Sequence, residues 1–192
     1  MNLPFEMIRE AVVNALIHRN YDIKEQKCQL VITPSTITIK SPGGPIAPIT
    51  MEEMRSFSAP MKSRNPILHF VFARMGIAEE QGYGLQSLKQ QAQKLGLPLP
   101  TYSKEGDLLV LTIYRTVQAV TASLAKDVRE SLSEAEAKGW EFIMSRTGTT
   151  QSEYAKELKV TARTAQRHLT HFVELGLLNR IGKGPATEYR KP

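Results

Sequence analysis

The last third of the chain carries the pattern that most restricts its fold. It reads Thr161-Ala-Arg-Thr-Ala-Gln-Arg-His-Leu169, then Leu-Gly-Leu-Leu178, then the basic glycine turn Arg180-Ile-Gly-Lys-Gly184. Thr161 is suited to open a helix, because its hydroxyl can accept a hydrogen bond from one of the first free backbone N–H groups. Behind it Ala165, Leu169, Phe172 and Leu175 recur at three- and four-residue steps and make one apolar stripe. The opposite face carries Arg163, Thr164, Gln166, Arg167 and Thr170, and Gly176 stops the helix.

Upstream, Thr150 and Glu153 stand at capping-box spacing before Tyr154, Ala155 and Leu158, which form the inner face of another helix. Only Lys159-Val160 separates the two helices, the short connection of a helix-turn-helix. A third helix is predicted from Ser133 to Ser145, with Ala137, Trp140, Ile143 and Met144 inward. Downstream, Leu177 to Ile181 and Thr187 to Tyr189 can pair across Gly182-Lys-Gly-Pro185. Helix, turn, helix and basic hairpin in this order resemble the winged helix of many bacterial transcriptional regulators. That resemblance implies binding to double-stranded DNA, with Thr161, Arg163, Thr164, Gln166, Arg167 and Thr170 near the major groove and Arg180 and Lys183 on the wing. Arginine suits guanine and glutamine suits adenine, while other contacts go to phosphate.

Charge agrees with an anionic partner. The 192 residues carry a formal charge of +6, and residues 160–192 hold six basic but two acidic side chains. The basicity is therefore focused on the proposed reader. The length suits two modest domains, predicted at 1–116 and 133–192, with 117–132 as a linker or connecting helix.

The first 116 residues read as α/β (α+β). Pro4 to about His18 is predicted helical, with Ile8, Ala11, Val12, Ala15 and Leu16 inward. Gln29 to Thr33 and Thr36 to Lys40 read as a hairpin across Pro34-Ser35. Ser41-Pro-Gly-Gly-Pro45 ends the second strand. Asn65 to about Met75 is a largely apolar helix, Leu85 to Leu95 a further one stopped by Gly96, and Leu108 to Tyr114 a closing strand.

Three pieces of this half stand out together. Glu10, Asn14 and His18 lie at four-residue steps, on one face of the first helix. Gly43-Gly44 follows a strand, and Gly82-Tyr-Gly84 opens a helix, so two glycine turns can bring backbone close to a phosphate-bearing ligand. In this order they resemble the ATP-binding domain shared by gyrase-type, heat-shock, histidine-kinase and mismatch-repair ATPases, a Bergerat-type fold. The resemblance implies ATP with magnesium as cofactor, Glu10 as a water-activating base and Asn14 as the amide that holds the metal. It also implies that Gly43, Gly44, Gly82, Gly84 and His18 face the nucleotide. The run Ile8-Arg-Glu-Ala-Val-Val-Asn-Ala-Leu-Ile-His-Arg-Asn-Tyr21, with Ser-Pro-Gly-Gly44, Arg-Asn-Pro66 and Gly-Tyr-Gly84, looks like the divergent branch labelled RecG-like. The family's first glycine box begins with an adenine-binding aspartate, and Ser41 stands there in this chain, so the domain is expected to be degenerate. Relatives of this branch usually carry a domain before it, similar to the Alba-like domain of schlafen proteins, so the chain reads as a C-terminal fragment or a shortened homologue.

Several chemistries lack their residues. No Gly-x-x-x-x-Gly-Lys-Ser/Thr phosphate loop occurs, so a helicase motor is not expected. The four histidines have no zinc-ligand spacing, and no serine or cysteine has the partners of a nucleophile. One cysteine, Cys28, and no apolar run approaching the length of a membrane span predict a cytoplasmic protein with no membrane contact. The expected function is a DNA-binding transcriptional regulator, a homodimer where palindromic half-sites demand two-fold symmetry, with the first domain as sensor or dimerisation scaffold. An ATP-binding or ATP-hydrolysing regulator and a protein-interaction scaffold without DNA contact are the alternatives.

Overall fold

A computed structural model of the chain describes residues 4–78, 84–184 and 187–191. Two units, Met1–Thr116 and Val117–Pro192, each hold their own core. The first is α+β. Its sheet contains β1 (Gln29–Ile32), β2 (Thr36–Pro42), β3 (Thr101–Glu105) and β4 (Leu108–Tyr114), in the order β1-β2-β4-β3 and antiparallel throughout. The turn of residues 33–35 between β1 and β2 is closed by Thr33, whose hydroxyl accepts from Thr36 N at 2.9 Å, an interaction local to the sequence. The register sets Ile37 opposite Ile113 and Ile39 opposite Leu111, four buried side chains on one face.

Against that face lies α1 (Phe5–Ile17), which also packs on α3 (Pro66–Arg74) and α4 (Gly84–Lys94). Met7 and Ala11 of α1 join Leu88 and Ala92 of α4 and the sheet isoleucines in one core. The helix buries Met7, Ala11, Val13 and Ile17, whereas Ile8, Val12 and Ala15 are partly covered. The inner face predicted on Ile8, Ala11, Val12, Ala15 and Leu16 is thus rotated, because neighbours on several sides cover this helix and reward apolar residues around most of its circumference. The six-residue α2 (Met51–Ser56) is opened by a full capping box between Thr50 and Glu53 and packs on β3. Pro66 occupies the first turn of α3, where its missing N–H costs nothing. No described residue of α3 is buried: Ile67 is 80 % exposed and Phe70 65 %.

In the second unit, residues 117–132 form two short helices, α5 (Ala119–Ala122) and α6 (Lys126–Ser131), and Ala119 and Val120 are buried. Three longer helices follow, α7 (Glu134–Met144), α8 (Gln151–Leu158) and α9 (Ala162–Glu174). Capping boxes at Ser133/Glu136 and Thr150/Glu153 open α7 and α8, and Thr161 caps α9 through Thr164 N. A small antiparallel sheet orders β5 (Gly148–Thr150), β7 (Glu188–Arg190) and β6 (Asn179–Ile181), with Arg180 opposite Tyr189. The core joins Trp140, Ile143, Tyr154, Leu169, Phe172, Leu178 and Tyr189. Lys159 turns between α8 and α9 in the left-handed region, and Gly176 does so after α9. Among the described residues, no helix is long and apolar enough to cross a membrane.

Candidate functional site

The first unit holds a cleft of about 150 Å³ between α1, the glycine turn after β2 and the start of α4. Glu10, Asn14 and His18 line it from α1, and Ser41, Gly43, Gly44 and Gly84 from the other walls. Helical spacing therefore brings the three polar groups to one wall, and strand and helix ends bring the glycines across from them. Gly82 lies outside the described residues, as do Tyr83 and Pro185.

Asn14 Nδ2 donates to Glu10 Oε1 at 2.8 Å, which holds both side chains in one orientation and leaves Asn14 Oδ1 an acceptor. Gly84 meets this pair directly. A Cβ there would press on the Glu10 carboxylate and stand 2.8 Å from Asn14 Nδ2 and 3.2 Å from Oδ1, so a larger residue would push both side chains out of this arrangement. Free N–H groups of a helix start next to a carboxylate and an amide oxygen suit a phosphate with its counter-cation. The donor set fits magnesium in chemistry: Asn14 Oδ1 and the Glu10 carboxylate are hard oxygens. Among the described residues no three His, Cys, Asp or Glu side chains gather as a metal site, so such an ion would need ligand oxygens as well.

Ser41 is buried and its hydroxyl donates to Ala15 O at 2.7 Å. With its proton committed to Ala15 O the oxygen can only accept, and Cys28 Sγ already lies 3.6 Å from it. Gly43 has φ +99°, and a Cβ on it would stand 2.8 Å from Asn20 Cβ; Gly44 has open space. The His18 side chain is pushed down to about 4 by burial, with His69 and the Arg64 guanidinium adding to the effect, so its imidazole is neutral at pH 7. Burial, assisted by the Glu10 charge, also raises the Tyr102 hydroxyl above its ordinary value.

The sequence reading left Lys62, Arg64, Asn65, His69 and Tyr102 without roles, and all five stand at or beside this cleft. Lys62, His69 and Tyr102 line it. Arg64 and Asn65 grip the backbone behind it. Of these, only Arg64 and Asn65 lay in a quoted motif, Arg-Asn-Pro66, and nothing local says what they bind.

In the second unit the polar face of α9 divides into two kinds of residue. Gln166 Nε2 donates to Thr170 Oγ1 at 3.1 Å and to Tyr189 Oη at 3.0 Å. Its two N–H groups are thereby used, and only Oε1 can address a partner. Thr161 and Thr164 share a hydroxyl hydrogen bond of 2.9 Å at the helix start. Arg163 and Arg167 are exposed on α9, and Arg180 and Lys183 on and after β6. Among the described residues, none of these four cations makes an ion pair within 4 Å.

Residues 25–113 match the family described as "Putative ATP-dependent DNA helicase recG C-terminal". The matched stretch supports an ATPase-like domain and includes Gly43, Gly44 and Gly84; Glu10, Asn14 and His18 precede it. No curated protein matches the sequence. Among solved structures the chain is similar to the DIP2311 protein from Corynebacterium diphtheriae, at 21% identity and a TM-score of 0.52 over 97% of this chain. The chain spans 40% of that protein's length, and the likeness is one of fold.

Proposed function

We propose that this chain is a DNA-binding transcriptional regulator, with its second unit a winged-helix reader and its first a degenerate ATPase-type domain serving as sensor or dimer scaffold. The observation that carries the reading is the pair Arg163 and Arg167, exposed on a helix whose other side is anchored by Ala165, Leu169 and Phe172. An exposed guanidinium one helical turn from another, on a rigid element, suits phosphate and guanine. Arg180 and Lys183 extend the positive surface onto the β6–β7 hairpin. Gln166 acts in this reading through Oε1 alone, as an acceptor for an exocyclic amino group.

Fluorescence anisotropy with duplex DNA across a salt series tests the proposal. Binding should weaken linearly in log[salt], and removing Lys183 should reduce the slope by about 1. Arg167→Ala should cost about 1–3 kcal/mol on a selected sequence if the arginine reads a base. Absence of DNA binding at low salt defeats the proposal and favours a protein-docking module.

A second reading is supported by the Glu10–Asn14 bond against Gly84 and by the family match: the cleft binds ATP with magnesium. Asn14 Oδ1 would hold the metal, Glu10 would orient water and accept its proton, and Ser41 Oγ would accept from the adenine amino group. Bound magnesium would neutralise phosphate charge. Calorimetry with magnesium-ATP on wild type and Asn14→Ala decides it. Micromolar binding lost in the variant supports nucleotide sensing, and no binding at millimolar ATP leaves the first unit a scaffold.

A further inference from the structure

Four backbone carbonyls converge on two adjacent side chains behind the cleft. Asn65 Nδ2 donates to Ile17 O at 2.7 Å and to Arg19 O at 2.8 Å. Arg64 donates from Nε to His18 O at 3.0 Å and from Nη2 to Gly44 O at 2.7 Å. The first three carbonyls belong to the end of α1, where no intrahelical donor reaches them and a cation is favoured by the helix dipole. The fourth belongs to the glycine turn that forms the facing wall. One guanidinium thus ties helix end to turn.

Backbone bonds tie the same junction further. Asn20 N donates to Pro42 O at 2.7 Å, and Gly43 N donates to Asp107 O at 2.7 Å, in the same small region. Gly43 stands so near α1 that a Cβ would be 2.8 Å from Asn20 Cβ and 3.4 Å from Arg64 Nη2. Pro66 keeps the preceding Asn65 out of the helical region, at φ −123° and ψ 75°, which presets the angle from which the two side chains reach back. Flanking residues Ser63 and His69 line the cleft themselves.

The geometry points to Arg64 and Asn65 as positioning residues that clamp the Gly43-Gly44 turn against the end of α1 and so fix the gap into which an anionic, nucleotide-like ligand fits. They act through the backbone. A lysine supplies the charge of Arg64 but cannot fork across two carbonyls, and an aspartate keeps the shape of Asn65 but has no proton to give to Ile17 O and Arg19 O. The identity of the ligand rests on the nucleotide reading above; the clamp does not.

The test uses the whole chain and the variants Arg64→Gln, Arg64→Lys and Asn65→Asp. Amide hydrogen exchange is followed by NMR at Asn20 and Gly43, with Leu111 of β4 as reference, and magnesium-ATP is titrated by calorimetry. Arg64→Gln and Asn65→Asp should speed exchange at Asn20 and Gly43 about tenfold or more, with Leu111 unchanged, and weaken ATP binding by a similar factor. Arg64→Lys should restore only part of each. Unchanged exchange at the two amides, equal acceleration at Leu111, or full rescue by lysine overturns the clamp. If wild type fails to bind ATP, the nucleotide reading falls, while the exchange measurement still decides the clamp.

Discussion

Replacing Gly139 by alanine probes how closely the helices of the second unit approach. Glycine inside a helix is ordinarily a weakness of about 1 kcal/mol relative to alanine, so the simple expectation is stabilisation. The structure reverses it. Gly139 lies in α7 against the Tyr154 ring of α8, and a Cβ would stand 2.6 Å from Cζ, 3.0 Å from Cε2 and closer still to the hydroxyl. Carbon atoms prefer about 3.5–4.0 Å, so the ring must retreat by roughly 1 Å or more. Tyr154 is fully buried and its hydroxyl meets His168 Nδ1 at 3.0 Å. Retreat therefore strains packing, at about 1–3 kcal/mol, and breaks a buried hydrogen bond worth a further ~1–3 kcal/mol. Less the propensity gain, the net loss is about 3 kcal/mol.

Trp140, the one tryptophan of the chain, is 5 % exposed and adjacent to the substitution. Its fluorescence reports unfolding of this unit. With a urea slope of about 1 kcal/mol/M for so small a unit, the midpoint should fall by about 2–3 M. Tyr154→Phe removes the nearest atom, so Gly139→Ala should cost less in that background than in wild type. A midpoint that stays put or rises would refute the close-approach argument.

Three further substitutions test the electrostatics and the glycine turn. Glu136 Oε2 accepts from Ser133 N and Oγ, and Oε1 meets His171 Nδ1 at 2.8 Å. Burial alone would raise this carboxyl, but the Ser133 bonds and His171 outweigh it and lower it from 4.5 to about 2. Because the folded value lies below the unfolded one, the stabilisation is present above pH 4.5 and lost as pH falls towards 2. The urea midpoint followed at Trp140 should drop more steeply from pH 6 to 3 in wild type than in Glu136→Gln; parallel profiles would exclude the linkage. In the first unit, Gly43→Ala should cost about 1–3 kcal/mol for its positive φ and the Asn20 approach, while Gly44→Ala, with open space, should be near neutral in a thermal melt. Equal effects at the two positions would remove the conformational argument.

Elements whose signal is local were legible in the sequence. β4 falls on Leu108–Tyr114 and α8 begins behind the Thr150/Glu153 box, because alternation and capping are written within a few residues. Other elements were not recognised. α2 has the same capping spacing but six residues and none buried, so no apolar period accompanies it. β3 is an edge strand with three exposed polar residues, held by its pairing with β4 and not by an apolar alternation of its own. β5 is three residues long and takes its register from β7, forty residues away in sequence. In the site, the spacing of Glu10, Asn14 and His18 announced one shared face. The grip of Arg64 and Asn65 did not announce itself, since its partners are carbonyls and every residue has one.

The two units differ in how their polar groups are used, and that difference bears on function. In the cleft, Asn14 is bonded to Glu10, Ser41 to Ala15 O, and Arg64 to two carbonyls. A ligand entering there meets a preset arrangement, with Asn14 Oδ1 and Ser41 Oγ left as acceptors, and must compete with bonds already made if it needs more. On α9 the order is reversed. Gln166, Thr161 and Thr164 are tied down around Arg163 and Arg167, which keep no ion pair among the described residues and so lose no internal partner on meeting an anion. A fixed polar frame with free cations suits a reader whose affinity comes from phosphate charge and whose register comes from a rigid helix. The first unit should therefore discriminate by shape and hydrogen bonding, with a shallower salt dependence for a nucleotide-sized anion than a polyanion shows. The second should bind polyanions with steep salt dependence, and measuring both dependences on one protein separates the two sites without any substitution.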